Sequence, residues 1–430
     1  MAHPISRYLP ELVAQGLITP EAAGNIRQYY ENQPKPDQNN RLLIVFGILG
    51  ALLTGLGILL ILAHNWEDLD RWLRTLIAFI PLLVGQGLCA YTLLQRPEAA
   101  GWREGSATFL LLGVGISLAL VSQIYQIPGE LTDLVLVWVL LSLPLIYLMR
   151  SSLVSFLYIC GVTWYTLLHW QPDGFPLSVR YWGLLLPALP YYINLIRRTP
   201  RGQATQVHNW LLPLSVLMTC GQGALGAPWL IVMVFACVLG AFYLLGTLKL
   251  PAAADWSRMS YTVFGSGGTV ILLLILSYQF FWEIQNNKPF FIDQEQVIAD
   301  LVVSLILCLT AITLLVMSIR QDAENALQPI VWVFPALCLN LVIGMMSPLV
   351  ATVAVNGLIL LVAVLTIRKG ALRQHLGILN YGMLIFAALV ICRFTDTDLS
   401  FVLRGLLFIA VGAGFFAVNI WIIRQRKTPQ

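Results

Sequence analysis

Apolar runs long enough to cross a bilayer recur almost without a break from residue 42 to residue 423, and they leave little room for any other architecture. A spanning helix needs about 20 mostly apolar residues. By that measure runs fall near residues 42–63, 75–94, 106–124, 131–149, 152–168, 181–196, 209–225, 228–248, 261–282, 298–318, 329–346, 349–367, 375–392 and 402–423. The pattern predicts an all-α fold, a polytopic transmembrane helical bundle of about fourteen helices. Pro187 and Pro190, Pro213, and Pro335 interrupt three of the runs. Kinked or partial spans there would bring the count to between twelve and fourteen.

Charge makes the same point. Charged residues are 11% of the chain, against roughly 25% in an ordinary soluble domain. Hydrophobic residues make up 58%, and the mean hydropathy is +0.78. A soluble chain of 430 residues could bury a large core but would need far more charge to cover its surface. The opening MAHPISRYLPELVAQG shows no apolar signal segment, so the first run itself is expected to direct insertion. The seven cysteines (89, 160, 220, 237, 308, 338 and 392) lie in or beside apolar runs and form no CxxC pair. They read as small packing groups; no disulfide, metal centre or cofactor is expected.

Lys and Arg concentrate in cytoplasmic loops, which gives the drawing an orientation. With fourteen helices and the N-terminus inside, nineteen basic residues fall on inner segments and six (Arg71, Arg74, Arg180, Lys288, Arg393 and Arg404) on outer ones. The expected topology is therefore N-in and C-in, in the cell inner (plasma) membrane, with a basic cytoplasmic tail at 424–430. Acidic residues enriched on the outer face are read as filling polar loops.

Residues 1–34 are amphipathic instead of uniformly apolar. Leu9, Leu12 and Val13 make one stripe, Gly16 breaks it, and Ala22, Ala23, Ile26, Tyr29 and Tyr30 make a second. Thr19, Pro20 and Glu21 form a helix start. The segment predicts a cytoplasmic helical hairpin, followed by a linker at 35–41 and the bundle at 42–423. Too small to hold its own core, the hairpin is expected to need a partner surface: the bundle, or a cytoplasmic protein. Its basic residues are scattered and balanced by acids, which does not suit nucleic acid.

Fixed charge is nearly absent from the middle of every run, which argues against a charge-translocating pump. Amides are present instead. Asn340, Asn356, Asn380 and Asn419 lie inside later runs, where an unpaired amide is costly and helix-to-helix polar contacts are expected. Gln123, Tyr125, Gln126 and Glu130 cluster after the third run. In the drawing they lie on the same side as AHNWEDLDRW at 63–72, which carries His64, Asn65 and Trp66. Those seven residues are the candidate pocket. AHNWEDLDRW also reads as a turn: Trp66 and Trp72 anchor at the interface, and Asp70 and Arg74 have the spacing of a local ion pair. Trp102, Trp164, Trp170, Trp182, Trp210 and Trp282 likewise suit an interfacial belt. The five histidines have no metal-ligand spacing, and neither GxxxxGK[ST] nor HExxH occurs. HNW recurs at 64–66 and 208–210, but on opposite sides of the drawing, so it does not mark a duplication.

LPELVAQGLITPEAAGNIRQYY, AHNWEDLDRWLRT and SQIYQIPGELTDLVLVWVLLSLPLIYLMRSS resemble a bacterial family of predicted membrane proteins, domain of unknown function 2157. The resemblance covers roughly the first 150 residues. It implies recurring positions at Gly16, Ile18, Asn65, Trp66, Arg74, Gln123, Tyr125, Trp138 and Ser151, and it implies no reaction or substrate.

Three functions fit the sequence. Transport or permeation of a small or amphipathic solute requires a cavity at depth, lined by Gln123 or the asparagines. A scaffold would engage a cytoplasmic partner through the hairpin. A membrane-embedded enzyme acting on a lipid-linked substrate would need the outer carboxylates, such as Glu67, Glu130, Asp133 and Glu283, gathered around a cleft. No catalytic residue stands out, and membrane lipid is the one partner the composition itself demands.

Overall fold

The computed structural model describes residues 9–32, 66–168, 177–221, 228–248, 255–287, 294–321 and 328–396, with scattered positions between 402 and 416. The first apolar run, most of the last one, the linker, the C-terminal tail, His64, Asn65, Trp170 and Asn419 lie outside the described residues. The chain divides at residues 76 and 77 into two units.

In the first unit, α1 (Leu9–Ala14) and α2 (Pro20–Asn32) pack as neighbours. Gly16, at φ +69°, closes α1: its N–H bonds the Val13 carbonyl and that of Leu17 bonds Leu12, both at 3.0 Å. This turn needs a left-handed residue after the helix, which glycine supplies without strain. The Thr19 hydroxyl accepts the Ala22 N–H at 3.2 Å and caps α2. Trp66 lies half-buried in a turn. Arg74 donates to the Leu69 carbonyl at 2.8 Å. The expected Asp70 to Arg74 ion pair is thus replaced by a main-chain contact, because residues 66–69 turn and bring a carbonyl under the guanidinium.

The second unit is helical throughout its described residues. Helix α3 (Arg71–Gln95) leads into it. Next come α4 (Ala100–Tyr125), α5 (Leu131–Met149), α6 (Ser152–Leu168), α7 (Leu177–Leu185), α8 (Leu189–Arg198) and α9 (Gln203–Thr219). The second half holds α10 (Pro228–Thr247), α11 (Asp255–Leu276), α12 (Gln279–Asn287), α13 (Gln294–Gln321), α14 (Val333–Met346), α15 (Pro348–Leu372) and α16 (Leu376–Asp396). Among the described residues nine helical segments are long and apolar enough to cross a membrane; α6 is apolar but shorter.

Two of the fourteen runs take a different form. The run at 181–196 is split: α7 ends at Leu185, a 3₁₀ turn covers Leu186–Ala188, and α8 begins at Leu189. Pro187 and Pro190 lack the N–H that an unbroken helix needs. Carbonyls at the break are taken up from outside, Leu184 by the Tyr158 hydroxyl at 2.7 Å and Pro187 by that of Tyr147. The run at 261–282 breaks after Leu276. There the Trp282 indole donates to the Leu276 carbonyl at 2.8 Å, Asn356 Nδ2 to the Ser277 carbonyl at 3.0 Å, and Arg393 to the Ser277 hydroxyl at 3.0 Å. Trp282 is fully buried. It is a wedge in the packing and not the interfacial anchor its position near a run end suggested.

The exterior of the bundle, more than its interior, sets it apart from a soluble protein. Ser106, Ser117, Ser155, Thr163, Thr166 and Ser215 are buried, whereas Leu83, Ile116, Leu140, Ile275, Ile306 and Val353 are exposed on the helix exteriors. A soluble monomer rarely shows contiguous apolar surface of that extent, but lipid tails cover it. Inside, small residues let backbones approach, and hydroxyls bond across or back onto their own helices. Two apolar cores meet on α10: Val234, Val238 and Phe242 belong to one, and Val232, Ala236, Cys237 and Leu244 to the other.

Candidate functional site

Helix α6 starts with a problem common to all helices, N–H groups with no acceptor in the preceding turn. Its first turn carries no acidic residue. Ser151 accepts the Val154 N–H at 3.2 Å, and Glu104 of α4 supplies the rest. One carboxylate oxygen accepts the Ser152 N–H at 2.8 Å and the Ser152 hydroxyl at 2.6 Å. The other accepts the Leu153 N–H at 2.9 Å and the Ser151 hydroxyl. A negative group at the positive end of a helix dipole, holding four donors, is an anion site filled by the protein's own side chain.

One turn further along α6, the buried Ser155 hydroxyl meets His208 Nε2 of α9 at 3.1 Å. His208 Nδ1 lies 2.8 Å from the Ala204 carbonyl. A carbonyl can only accept, so Nδ1 carries the hydrogen, and in the neutral ring Nε2 accepts from Ser155. The imidazole stacks on Tyr192 of α8, centroids 6.3 Å apart. Tyr192 is within 2.5 Å of Asn209 Oδ1, and the Tyr261 hydroxyl of α11 within 2.8 Å of that of Tyr192. A chain of polar residues thus runs from Glu104 through Ser151, Ser155, His208 and Tyr192 to Asn209 and Tyr261, its link between Ser151 and Ser155 being a main-chain helix bond and that between His208 and Tyr192 ring stacking. Two turns further along α9, about 10 Å, Ser215 joins Thr163 at 2.6 Å and Tyr181 at 2.8 Å in a second buried group.

The tyrosine end of the chain borders a cavity of about 740 Å³ between α7, α8, α9, α10, α11 and α13. Its walls are almost wholly apolar, including Trp182, Leu212, Val238, Phe242 and Leu307, and among the described residues no charged side chain lines it. Thr310 bonds the Ile306 carbonyl of its own helix at 2.8 Å. The hydroxyls of Tyr192 and Tyr261 therefore form its polar pole. Leu186, Val302 and Ile306 on the rim are 54%, 47% and 57% exposed, so the cavity opens on the side of the bundle.

The candidate pocket from the sequence takes a different form where it is described. Gln123 and Tyr125 are exposed at the end of α4. Gln126 is the left-handed residue that ends that helix, at φ 51°, with the Ile127 N–H bonded to the Ser122 carbonyl at 3.0 Å. Glu130 and Asp133 form a reciprocal capping box at the start of α5. Trp66 belongs to the first unit. Of the asparagines, Asn340 donates to the Ala351 carbonyl at 3.2 Å, Asn356 bonds Ser277 and Thr352, and Asn380 is exposed on α16. Trp138 donates to the Leu111 carbonyl at 2.7 Å and lies against Gly115. Among the described residues no group of three His, Cys, Asp or Glu side chains is placed to hold a metal, and the seven cysteines are free thiols.

Sequence reading missed Glu104, Ser155, Tyr192, His208, Asn209 and Tyr261. Their partners stand 17 to 69 positions apart, so no local motif joins them. The available signal was HNW at 208–210 with PYY at 190–192, polar and aromatic residues in or beside two runs that carry prolines, one of them broken there.

Multiple apolar helices with lipid-suited exteriors and a hydroxyl-rich interior define a multi-pass membrane protein. Residues 10–155 match the family model described as predicted membrane protein (DUF2157). The matched segment ends at Ser155 and so contains Glu104 and its serine partners, while the cavity lies beyond it. No curated protein and no solved structure matches the chain.

Proposed function

We propose that this is a multi-pass protein of the cell inner membrane, N-in and C-in with about fourteen helices, that binds an amphipathic, chain-bearing solute and moves it through the bundle. The cavity beneath Tyr192 and Tyr261 carries this reading. Its volume lies within the roughly 300–1,000 Å³ of small-molecule sites, its walls suit a hydrocarbon chain, and its rim opens where lipid tails would lie. A small polar solute is disfavoured: neither Asn340 nor Asn356 is among the described residues that line the cavity, and Gln123 lies on the exterior. The orientation draws support from basic residues in the last turns of α8, α13 and α15 (Arg197 and Arg198, Arg320, Lys369).

The test is native mass spectrometry of the full-length protein released from lipid nanodiscs, beside Ala241→Phe, which fills the cavity from α10. The wild type is expected to retain a chain-bearing molecule at fixed stoichiometry and the variant to retain at least tenfold less. Equal retention by both proteins would sink the proposal.

A further inference from the structure

The hydrogen-bond directions at the polar pole specify the solute further. Tyr192 and Asn209 Oδ1 are 2.5 Å apart, within the range of O–H···O bonds and short of that of N–H···O bonds. The amide therefore presents its oxygen, and Tyr192, with one hydrogen to give, gives it to Asn209. The contact between Tyr192 and Tyr261 at 2.8 Å then needs its hydrogen from Tyr261. Both tyrosines have therefore spent their donors on protein partners, Asn209 and Tyr192. What Tyr261, which lines the cavity, still offers is lone pairs, and among the described residues no second partner takes them.

A ligand seated there must bring a hydrogen. It must also be uncharged at that point, because among the described residues no cation or carboxylate lines the cavity and an unpaired charge would be costly to bury. The remaining walls are hydrocarbon and aromatic. Resting on the cavity reading above, we infer that the solute is a long-chain alcohol: a neutral lipid whose free hydroxyl donates to the Tyr261 oxygen while its chain fills the space between α7, α9, α10 and α13. Tyr261 is here a recognition residue, and Tyr192 with Asn209 sets the direction of its hydrogen.

The test uses full-length protein in phosphatidylcholine vesicles and two photoactivatable probes, a diazirine-bearing long-chain alcohol and its methyl ether, which differ only in the donor hydrogen. In the wild type the alcohol is expected to label cavity peptides of α9, α10 and α13 about tenfold more than the ether. Tyr261→Phe, which keeps the ring that packs edge-on to Phe242 at 5.7 Å, should bring the two probes level. Tyr192→Phe removes the group that takes the Tyr261 hydrogen, leaving it free to face the cavity, and should raise ether labelling above its wild-type level. A purely structural role for Tyr192 would not produce that rise. Equal labelling of the cavity by both probes in the wild type, or an alcohol preference that survives Tyr261→Phe, overturns the alcohol assignment and leaves the cavity reading standing. Labelling spread over the exposed helix faces, with none at the cavity, overturns both.

Discussion

Glu104 accepts four hydrogen bonds at the start of α6, and that role was not legible in the sequence. At the fifth position of α4 it looks like an ordinary interfacial acid. Its meaning depends on Ser151 and Ser152, 47 and 48 residues away. Charge-assisted hydrogen bonds contribute roughly 1.5–3 kcal/mol, and an orphaned buried donor costs about as much. Glu104→Ala is therefore expected to destabilise the protein by about 2–3 kcal/mol, and Glu104→Gln, which keeps one acceptor oxygen, by about half that. Thermal unfolding in detergent would show the order wild type, Gln, Ala; an alanine variant as stable as wild type would refute the capping role. Asn340 and Asn356 were legible as polar groups needing partners, because an amide in an apolar run has few other uses. Their acceptors were not, since main-chain carbonyls carry no sequence mark.

At the scale of elements, most helices could be read directly, because a run of about 20 apolar residues has little alternative in lipid. The exceptions were the places where side chains from other helices satisfy a broken backbone. Pro187 and Pro190 announced the break between α7 and α8. Nothing local announced the one after Leu276, which Trp282, Asn356 and Arg393 hold open. Helix spacing depends on glycine in a position-specific way. A Cβ on Gly265 of α11 would fall 2.4 Å from the Tyr243 backbone nitrogen of α10, whereas one on Gly267 would meet nothing within 4 Å. Gly265→Ala is thus expected to cost about 1–3 kcal/mol through overpacking. Gly267→Ala should be neutral or gain up to about 1 kcal/mol of helix propensity. Melting both variants side by side tests this, and a reversed order would show that α10 and α11 do not pack through Gly265.

For the whole molecule, the arrangement around α10 joins two cores that the sequence shows only as successive apolar runs. Orientation is open to direct measurement. In a background lacking native thiols, Glu130→Cys should react with a membrane-impermeant maleimide in intact spheroplasts, and Glu98→Cys only after lysis. The opposite pattern would invert the N-in drawing. The Glu104 contact also imposes an order in time. During synthesis α4 emerges with its carboxylate long before Ser151 and Ser152 exist, so that acid must stay hydrated at the membrane surface or near the insertion machinery until α5 has reversed direction and α6 has begun. The cap is therefore complete only once all three helices have been made, and a ribosome stalled between residues 125 and 150 would leave Glu104 of α4 without any of its four donors.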